Sequence, residues 1–252
     1  MVLDDDKGIT FKQLRISEKA KLSTSSSQIS TFKAATEPLY IGDSAILTLG
    51  RRTMFYTTSN GGNCYYMAST ATFNGSGSNP QFDIGIEGIN LTVYLPWLKY
   101  TGSNDVSISN GSNPLFYGTF IQTGNISISS NVRLFQAYAT YTTTFNQAGF
   151  SLSATNLTFG CVNATGSFFG NFRGDLNISG AINAAAYNSG TTTIRDSAGV
   201  KTVGGNMTWQ STHNYVNGGA TWVFNGTGTQ TVTSAGRFAP DSIACTGSGT
   251  VS

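Results

Sequence analysis

The chain has 252 residues, of which only 10% are charged, and its formal net charge is +2. A balance so close to neutral provides no broad basic field, which argues against nucleic acid as a partner. Hydrophobic residues make up 39% and aromatic residues 12%, which is enough for a core and argues against disorder. Three widely spaced cysteines, Cys64, Cys161 and Cys245, predict buried free thiols and neither a disulfide framework nor a metal site.

Charge is concentrated at the start of the chain. Residues 1–52 hold eight of the 14 basic and six of the 12 acidic residues. This shift predicts an N-terminal arm and attachment region, residues 1–70, followed by a second region, residues 71–252. Within the arm we expect a short helix around Gln13–Leu22 and, between Tyr56 and Tyr66, a β-hairpin around a Ser-Asn-Gly-Gly-Asn turn.

The first residues do not match a secretion signal. Acidic residues stand where a signal peptide needs a basic segment followed by an apolar one. No apolar run approaches the roughly 18 residues of a membrane span. We therefore expect synthesis in the cytoplasm of the producing cell and no membrane span.

The second region is punctuated by Gly and Asn. Between Thr140 and Gly180, segments of a few residues alternate apolar and polar side chains, which places Phe150 and Leu152, then Leu157 and Phe159, on one sheet face. One phrase, Asn followed by an apolar residue and then Ser or Thr, begins at Asn90, Asn125, Asn156, Asn177 and Asn206.

These starts are unevenly spaced along the chain, which predicts a degenerate repeat with insertions, typical of a solenoid. Asn side chains stacked on successive rungs, where a rung is one circuit of the coil, would form an amide ladder. The sequence therefore predicts an all-β protein, a right-handed parallel β-helix or solenoid over residues 71–252 with a small N-terminal attachment region.

Catalytic chemistry has little support in the sequence. His213 is the only histidine, in a polar loop-like context without a nucleophile motif, and no phosphate-binding loop is present. Asp83 and Glu87 fall on one face of a strand with α-carbons about 13 Å apart, too far for a glycosidase pair. We therefore predict no enzyme activity and no cofactor or metal. A polysaccharide depolymerase stays open as an alternative, because carboxylates on neighbouring rungs could meet across a step of ~4.8 Å.

Exposed aromatic residues are the candidate binding residues. Tyr94, Trp97 and Tyr100 surround a Leu-Pro-Trp-Leu break, which predicts a loop leaving the coil. Aromatic rings at such a site could bind carbohydrate or another receptor.

Two phrases carry a resemblance to known proteins. FNQAGFSLSATNLTFG, from Phe145, and WVFNGTGTQTVTSAG, from Trp222, resemble repeats in large β-helical surface proteins of bacteriophages and bacteria. The resemblance covers about residues 140–252. It implies a structural virion protein, synthesised in the host cytoplasm: a tail fibre, a spike or a capsid decoration subunit.

On this interpretation the N-terminal region binds other virion proteins, the chain forms a homo-oligomer, and the coil contacts a host surface glycan. The alternatives are a depolymerase spike and a bacterial adhesin, which would need a secretion signal. The repeat pattern runs to the last residue without a polar cap, so we expect a partner chain or further rungs to cover that end.

Overall fold

The structure is a computed structural model. It describes residues 2–3, 10–24, 30–50, 52–76, 82–110, 117–136, 141–161, 166–184, 190–209 and 213–252. Within these ranges every regular element is a β-strand. None of the described residues forms a helix that could cross a membrane.

Thirty short strands follow one another in the described part of the chain. The first fifteen are β1 (Val2–Leu3), β2 (Thr10–Phe11), β3 (Leu14–Ile16), β4 (Lys21–Thr24), β5 (Ser30–Ala34), β6 (Leu39–Ile41), β7 (Ile46–Leu49), β8 (Thr53–Thr57), β9 (Tyr66–Met67), β10 (Thr72–Gly75), β11 (Phe82–Ile86), β12 (Ile89–Leu95), β13 (Leu98–Tyr100), β14 (Val106–Asn110) and β15 (Tyr117–Gln122). The others are β16 (Ile126–Ile128), β17 (Asn131–Gln136), β18 (Thr142–Asn146), β19 (Leu152–Ala154), β20 (Asn156–Cys161), β21 (Ser167–Phe172), β22 (Leu176–Ile178), β23 (Ile182–Asn183), β24 (Thr191–Asp196), β25 (Val200–Val203), β26 (Met207–Trp209), β27 (His213–Asn217), β28 (Thr221–Phe224), β29 (Val232–Ser234) and β30 (Ser242–Cys245).

The strands stack as a three-sided parallel coil, because nearly every strand pairs with the third strand before it and the third after it. The first side is one ten-stranded sheet that runs β2-β5-β8-β11-β14-β17-β20-β23-β26-β29. The second side is β3-β6-β9 and then β12-β15-β18-β21-β24-β27, and the third is β1-β4-β7-β10 and then β13-β16-β19-β22-β25-β28-β30. The predicted all-β parallel solenoid is confirmed.

The interval between successive rungs is regular on one side of the later coil. Paired positions of the ten-stranded sheet follow one another at equal intervals, at Val132, Leu157, Ile182, Met207 and Val232. On the other two sides the interval varies, as between Ser167 and Thr191 and then between Thr192 and His213, in agreement with the predicted degenerate repeat. The phrase marks different positions of the rung: Asn156 begins a strand of the ten-stranded sheet, whereas Asn177 lies in the middle of β22.

The N-terminal region, residues 1–70, differs from the prediction. The segment expected to be a short helix around Gln13–Leu22 contains β3 and the start of β4, so the helix is wrong. Tyr56 and Tyr66 lie in strands of different sheets, so the hairpin is wrong as well. Parallel pairing between β8 and β11 crosses the boundary expected near residue 70. The coil thus extends into the N-terminal region, whose attachment role stays a prediction.

The interior of the coil is a set of stacked apolar columns. Phe11, Phe32 and Phe55 lie one above another with ring centroids 5.2 Å apart at each step. Such aromatic contacts add about 0.5–1.5 kcal/mol each to the burial of the rings. Cys64 and Cys161 are free and buried as expected, but Cys245 is exposed because it lies in the last strand.

An amide ladder runs along one edge of the ten-stranded sheet. Asn131 donates through Nδ2 to a carboxylate oxygen of Asp105 at 2.7 Å, and Asn156 donates through Nδ2 to Oδ1 of Asn131, also at 2.7 Å. The Oδ1 of Asn156 then accepts from the backbone N–H of Ala181 at 2.7 Å. The expected stacking of Asn on Asn is thus present at Asn131 and Asn156.

Candidate functional site

The three predicted aromatic residues do not share one surface. Tyr94 lies between Val93 and Leu95, both fully buried, so its half-buried ring faces outward from β12. Trp97 is half-buried at the corner that follows and packs against the core. Tyr100 is only 1% exposed, which excludes it as a surface aromatic.

Tyr100 is inside because the corner changes the phase of the alternation. Counting in twos from the outward Tyr94 would place residue 100 outside, but in β13 both Leu98 and Tyr100 point inward. The Tyr100 ring lies 4.9 Å from that of Phe73. Burial raises the pKa of this phenol, although the neighbouring Asn104 opposes the shift.

The predicted loop at Trp97 is instead a tight corner. Strand β12 ends at Leu95 and β13 already begins at Leu98. Gly124, one rung later, comes so close that a Cβ there would lie 2.4 Å from the backbone nitrogen of Trp97. A glycine is therefore required where the two corners stack.

An exposed group of stacked side chains lies on the three-stranded sheet β3-β6-β9. Arg15, Tyr40 and Tyr66, which we call the aromatic stripe, pair in register on successive rungs. The guanidinium carbon of Arg15 lies 3.7 Å from the centre of the Tyr40 ring. The Tyr40 and Tyr66 rings stack with centroids 4.7 Å apart and planes 14° apart. Arg15 is exposed, Tyr40 half-buried and Tyr66 exposed.

Local alternation explains why the aromatic stripe faces outward. Leu14 and Ile16 are buried on either side of Arg15, and Leu39 and Ile41 are buried on either side of Tyr40. These triplets, Leu-Arg-Ile and Leu-Tyr-Ile, recur one rung apart. That recurrence is the sequence signal for the aromatic stripe, and sequence reasoning missed it.

Tyr94 lies one rung beyond Asn63, with which it forms a parallel bridge. Trp97 follows at the corner beyond the end of β12, and the described strands show no pairing between it and Tyr66. The candidate site therefore comprises Arg15, Tyr40 and Tyr66.

The carboxylates considered for catalysis are engaged with cations. Asp83 pairs with Arg52 at 2.7 Å and Glu87 with Lys33 at 2.8 Å. Asp105 pairs with Arg133 in the same way. Each of these three carboxylates thus has a cationic side chain as its partner. Among the described residues, no three acidic, His or Cys side chains are placed to hold a metal.

Tyr56 lies beside two of these pairs. Its ring packs directly against Gly85, where an added Cβ would lie 2.2 Å from a ring carbon. Its hydroxyl is 3.1 Å from the Met54 sulfur. Burial, reinforced by the negative charge of Asp83, raises the pKa of Tyr56 to about 12, so this phenol does not give up its proton near neutral pH.

A second polar cluster lies inside the coil near its C-terminal rungs. The fully buried Asp196 accepts hydrogen bonds from the Tyr215 hydroxyl, from Trp222 Nε1 at 2.7 Å and from the Gly218 N–H at 3.1 Å. Burial and the adjacent Asp196 raise the pKa of Tyr215. These donors satisfy a carboxylate that would otherwise be costly to bury.

Lys201 is also fully buried and interrupts an apolar column. It pairs with Leu176, which pairs with Leu152, so a lysine stands where earlier rungs place leucine. Its Nζ donates to the carbonyl oxygens of Gly174 and Ala198, the latter at 2.6 Å. Burial lowers the pKa of Lys201 to about 8, although the charges of Asp196 and Asp175 oppose this. Asp196 and Lys201 are both enclosed by the coil, so neither is accessible to a ligand.

The fold and the candidate site define a parallel β-solenoid protein with an exposed aromatic stripe. Comparison of the chain with protein-family models, with curated proteins and with solved structures found no match in any of the three. His213, the only histidine, lies in β27, and its side chain is outside the described residues.

Proposed function

We propose that this chain is a structural subunit of a bacteriophage particle, a tail fibre, spike or capsid decoration protein, that contributes to attachment to the host. The proposal starts from the resemblance of two repeat phrases to β-helical surface proteins. It places the protein in the virion as a homo-oligomer, held to other virion proteins through its N-terminal region.

One structural observation supports this proposal most. The ten-stranded sheet continues from Thr10 to Ser234 without a change of strand order, so the coil is a single elongated body. Parallel pairing at every step leaves its backbone hydrogen bonds within the stack, which suits a rigid, protease-resistant spacer. Its surface carries few charges, and three of the described acidic residues are paired with cations.

The two alternatives have less support. A depolymerase needs two cooperating carboxylates at the surface, and Asp83, Glu87 and Asp105 are each held by a cation. A bacterial adhesin shares the resemblance but is delivered to the surface of an uninfected cell. No observation on the described part of the coil favours either alternative over a virion subunit.

Mass spectrometry of purified particles tests the proposal. We expect the protein in density-purified virions at a constant ratio to the major capsid protein, and antibodies against it should label the particle surface in electron microscopy. A phage replication protein serves as the control that purification removes. Detection only in the lysate, or on uninfected cells, would overturn the proposal and, in the second case, indicate an adhesin.

A further inference from the structure

We propose that the aromatic stripe binds an acidic polysaccharide, with Arg15 holding a sugar carboxylate and the hydroxyls of Tyr40 and Tyr66 bonding to sugar hydroxyls. This inference rests on the proposed attachment function and names the ligand class of the candidate site. The inference is argued from the charge of Arg15 and from the stacking of Arg15, Tyr40 and Tyr66 on the outer surface of β3, β6 and β9.

Arg15 is a cation prepared for an anionic partner. Its guanidinium lies over the Tyr40 ring, 3.7 Å from the ring centre. This contact restrains the side chain and leaves the N–H groups at the edge of the guanidinium free. Arg52 and Arg133 each bind a carboxylate. Arg15 makes no ion pair with any described residue. A free guanidinium edge suits a carboxylate, which it binds through two parallel hydrogen bonds.

The Tyr rings contribute their hydroxyls, since both faces of the Tyr40 ring and one face of the Tyr66 ring are occupied. Tyr40 has Arg15 against one face and Tyr66 against the other, so no sugar can stack on it. Its edge and that of Tyr66 remain accessible, and Tyr66 is 40% exposed. Each phenol can donate and accept a hydrogen bond. The ligand that fits is rich in hydroxyls and bears a negative charge.

Charge density distinguishes a polysaccharide from other anionic polymers. The aromatic stripe itself offers a single guanidinium, and the same rungs carry lysines, such as Lys19, as well as Glu18 and Glu37. Nucleic acid affinity comes from several cations acting on successive phosphates, which the stripe lacks. A uronic acid polymer carries its carboxylates among neutral hydroxyls. The rungs repeat along the coil, so a chain of sugars lying parallel to the axis would meet Arg15, Tyr40 and Tyr66 in turn.

The test uses the full-length protein and defined oligosaccharides. Isothermal titration measures binding of oligogalacturonate, of its methyl ester, which lacks the charge, and of a neutral malto-oligosaccharide. We expect binding of the acid and a loss of at least tenfold with the methyl ester. The variant Arg15→Gln should weaken binding of the acid by about tenfold to a hundredfold, because it removes a charge-assisted pair.

Two further variants separate binding from folding. Tyr66→Phe keeps the ring stack and removes only the hydroxyl, so we expect severalfold weaker binding at an unchanged melting temperature. Lys99→Gln, at an exposed lysine on another side of the coil, should bind as the parent does. Equal affinity of Arg15→Gln and parent, equal binding of acid and ester, or no binding of the acid would each overturn the inference. Because particle mass spectrometry does not depend on glycan binding, failure here is distinguishable from failure of the virion proposal.

Discussion

Replacing Lys201 by methionine should change how the stability of the protein depends on pH. The amine is fully buried in a column otherwise filled by apolar side chains, among them Leu176 and Trp222, and its pKa falls from an ordinary 10.5 to about 8. Between these two values the unfolded chain holds the proton and the folded protein does not. Stability therefore rises with pH across this window.

The size of the effect follows from the pKa difference. One unit corresponds to about 1.4 kcal/mol, so the full shift is worth up to about 3 kcal/mol. Cys64 and the buried tyrosines also titrate at alkaline pH, but they do so in both proteins and cancel in the comparison. We therefore expect the stability of the parent relative to Lys201→Met to increase by up to about 3 kcal/mol from pH 7 to about pH 10.5.

Urea unfolding at a series of pH values, followed by tryptophan fluorescence, measures this difference. Trp222 pairs with Lys201 on the next rung and reports on the same region. Lys99→Met is the matched control, because Lys99 is exposed in β13, and its difference from the parent should stay flat. Parallel stability curves for parent and Lys201→Met would refute the reasoning.

Three other predictions concern the coil itself. Phe55→Ala opens a cavity in the stacked phenylalanine column and should lower the free energy of unfolding by about 3–5 kcal/mol, as measured by urea titration. A loss under about 1 kcal/mol would contradict the packing of this column. Gly124→Ala should lower the melting temperature, because its Cβ would collide with the backbone of Trp97. Gly228→Ala, where an added Cβ meets no atom within 4 Å, should leave the melting temperature nearly unchanged. Equal effects of the two variants would contradict the close approach of Gly124 to Trp97. Cys245 should react with a thiol reagent in the native protein. Cys64, whose burial raises its pKa to about 12, should react only after unfolding. Rapid reaction of both thiols in the native protein would contradict their placement.

Local patterns in the sequence were sufficient for the fold class. Leu157 and Phe159 are buried as alternation predicts. Phe150, expected on the same face as Leu152, is 37% exposed because it precedes β19 and belongs to a turn. Strands as short as β3 give too few residues for a period to be recognised, so a helix was predicted there instead.

The candidate site depended on information that a local pattern lacks. The corner at Trp97 reverses which residues face inward, and this reversal placed Tyr100 inside although sequence reasoning put it outside. Arg15 and Tyr66 join one stripe only once the rung length is known, since they lie two circuits apart. Lys201 breaks the rule that the column is apolar, and one of its hydrogen-bond acceptors belongs to the backbone of another rung.

The equal intervals within the later part of the ten-stranded sheet make the length of this coil adjustable. Excising or duplicating one such segment, between equivalent points such as Leu157 and Ile182, returns every later side chain to the same side of the coil. The molecule would shorten or lengthen by about 4.8 Å, the distance between neighbouring strands. Unequal recombination between similar segments would therefore change the length of the coil by whole rungs and would leave the orientation of its side chains unchanged.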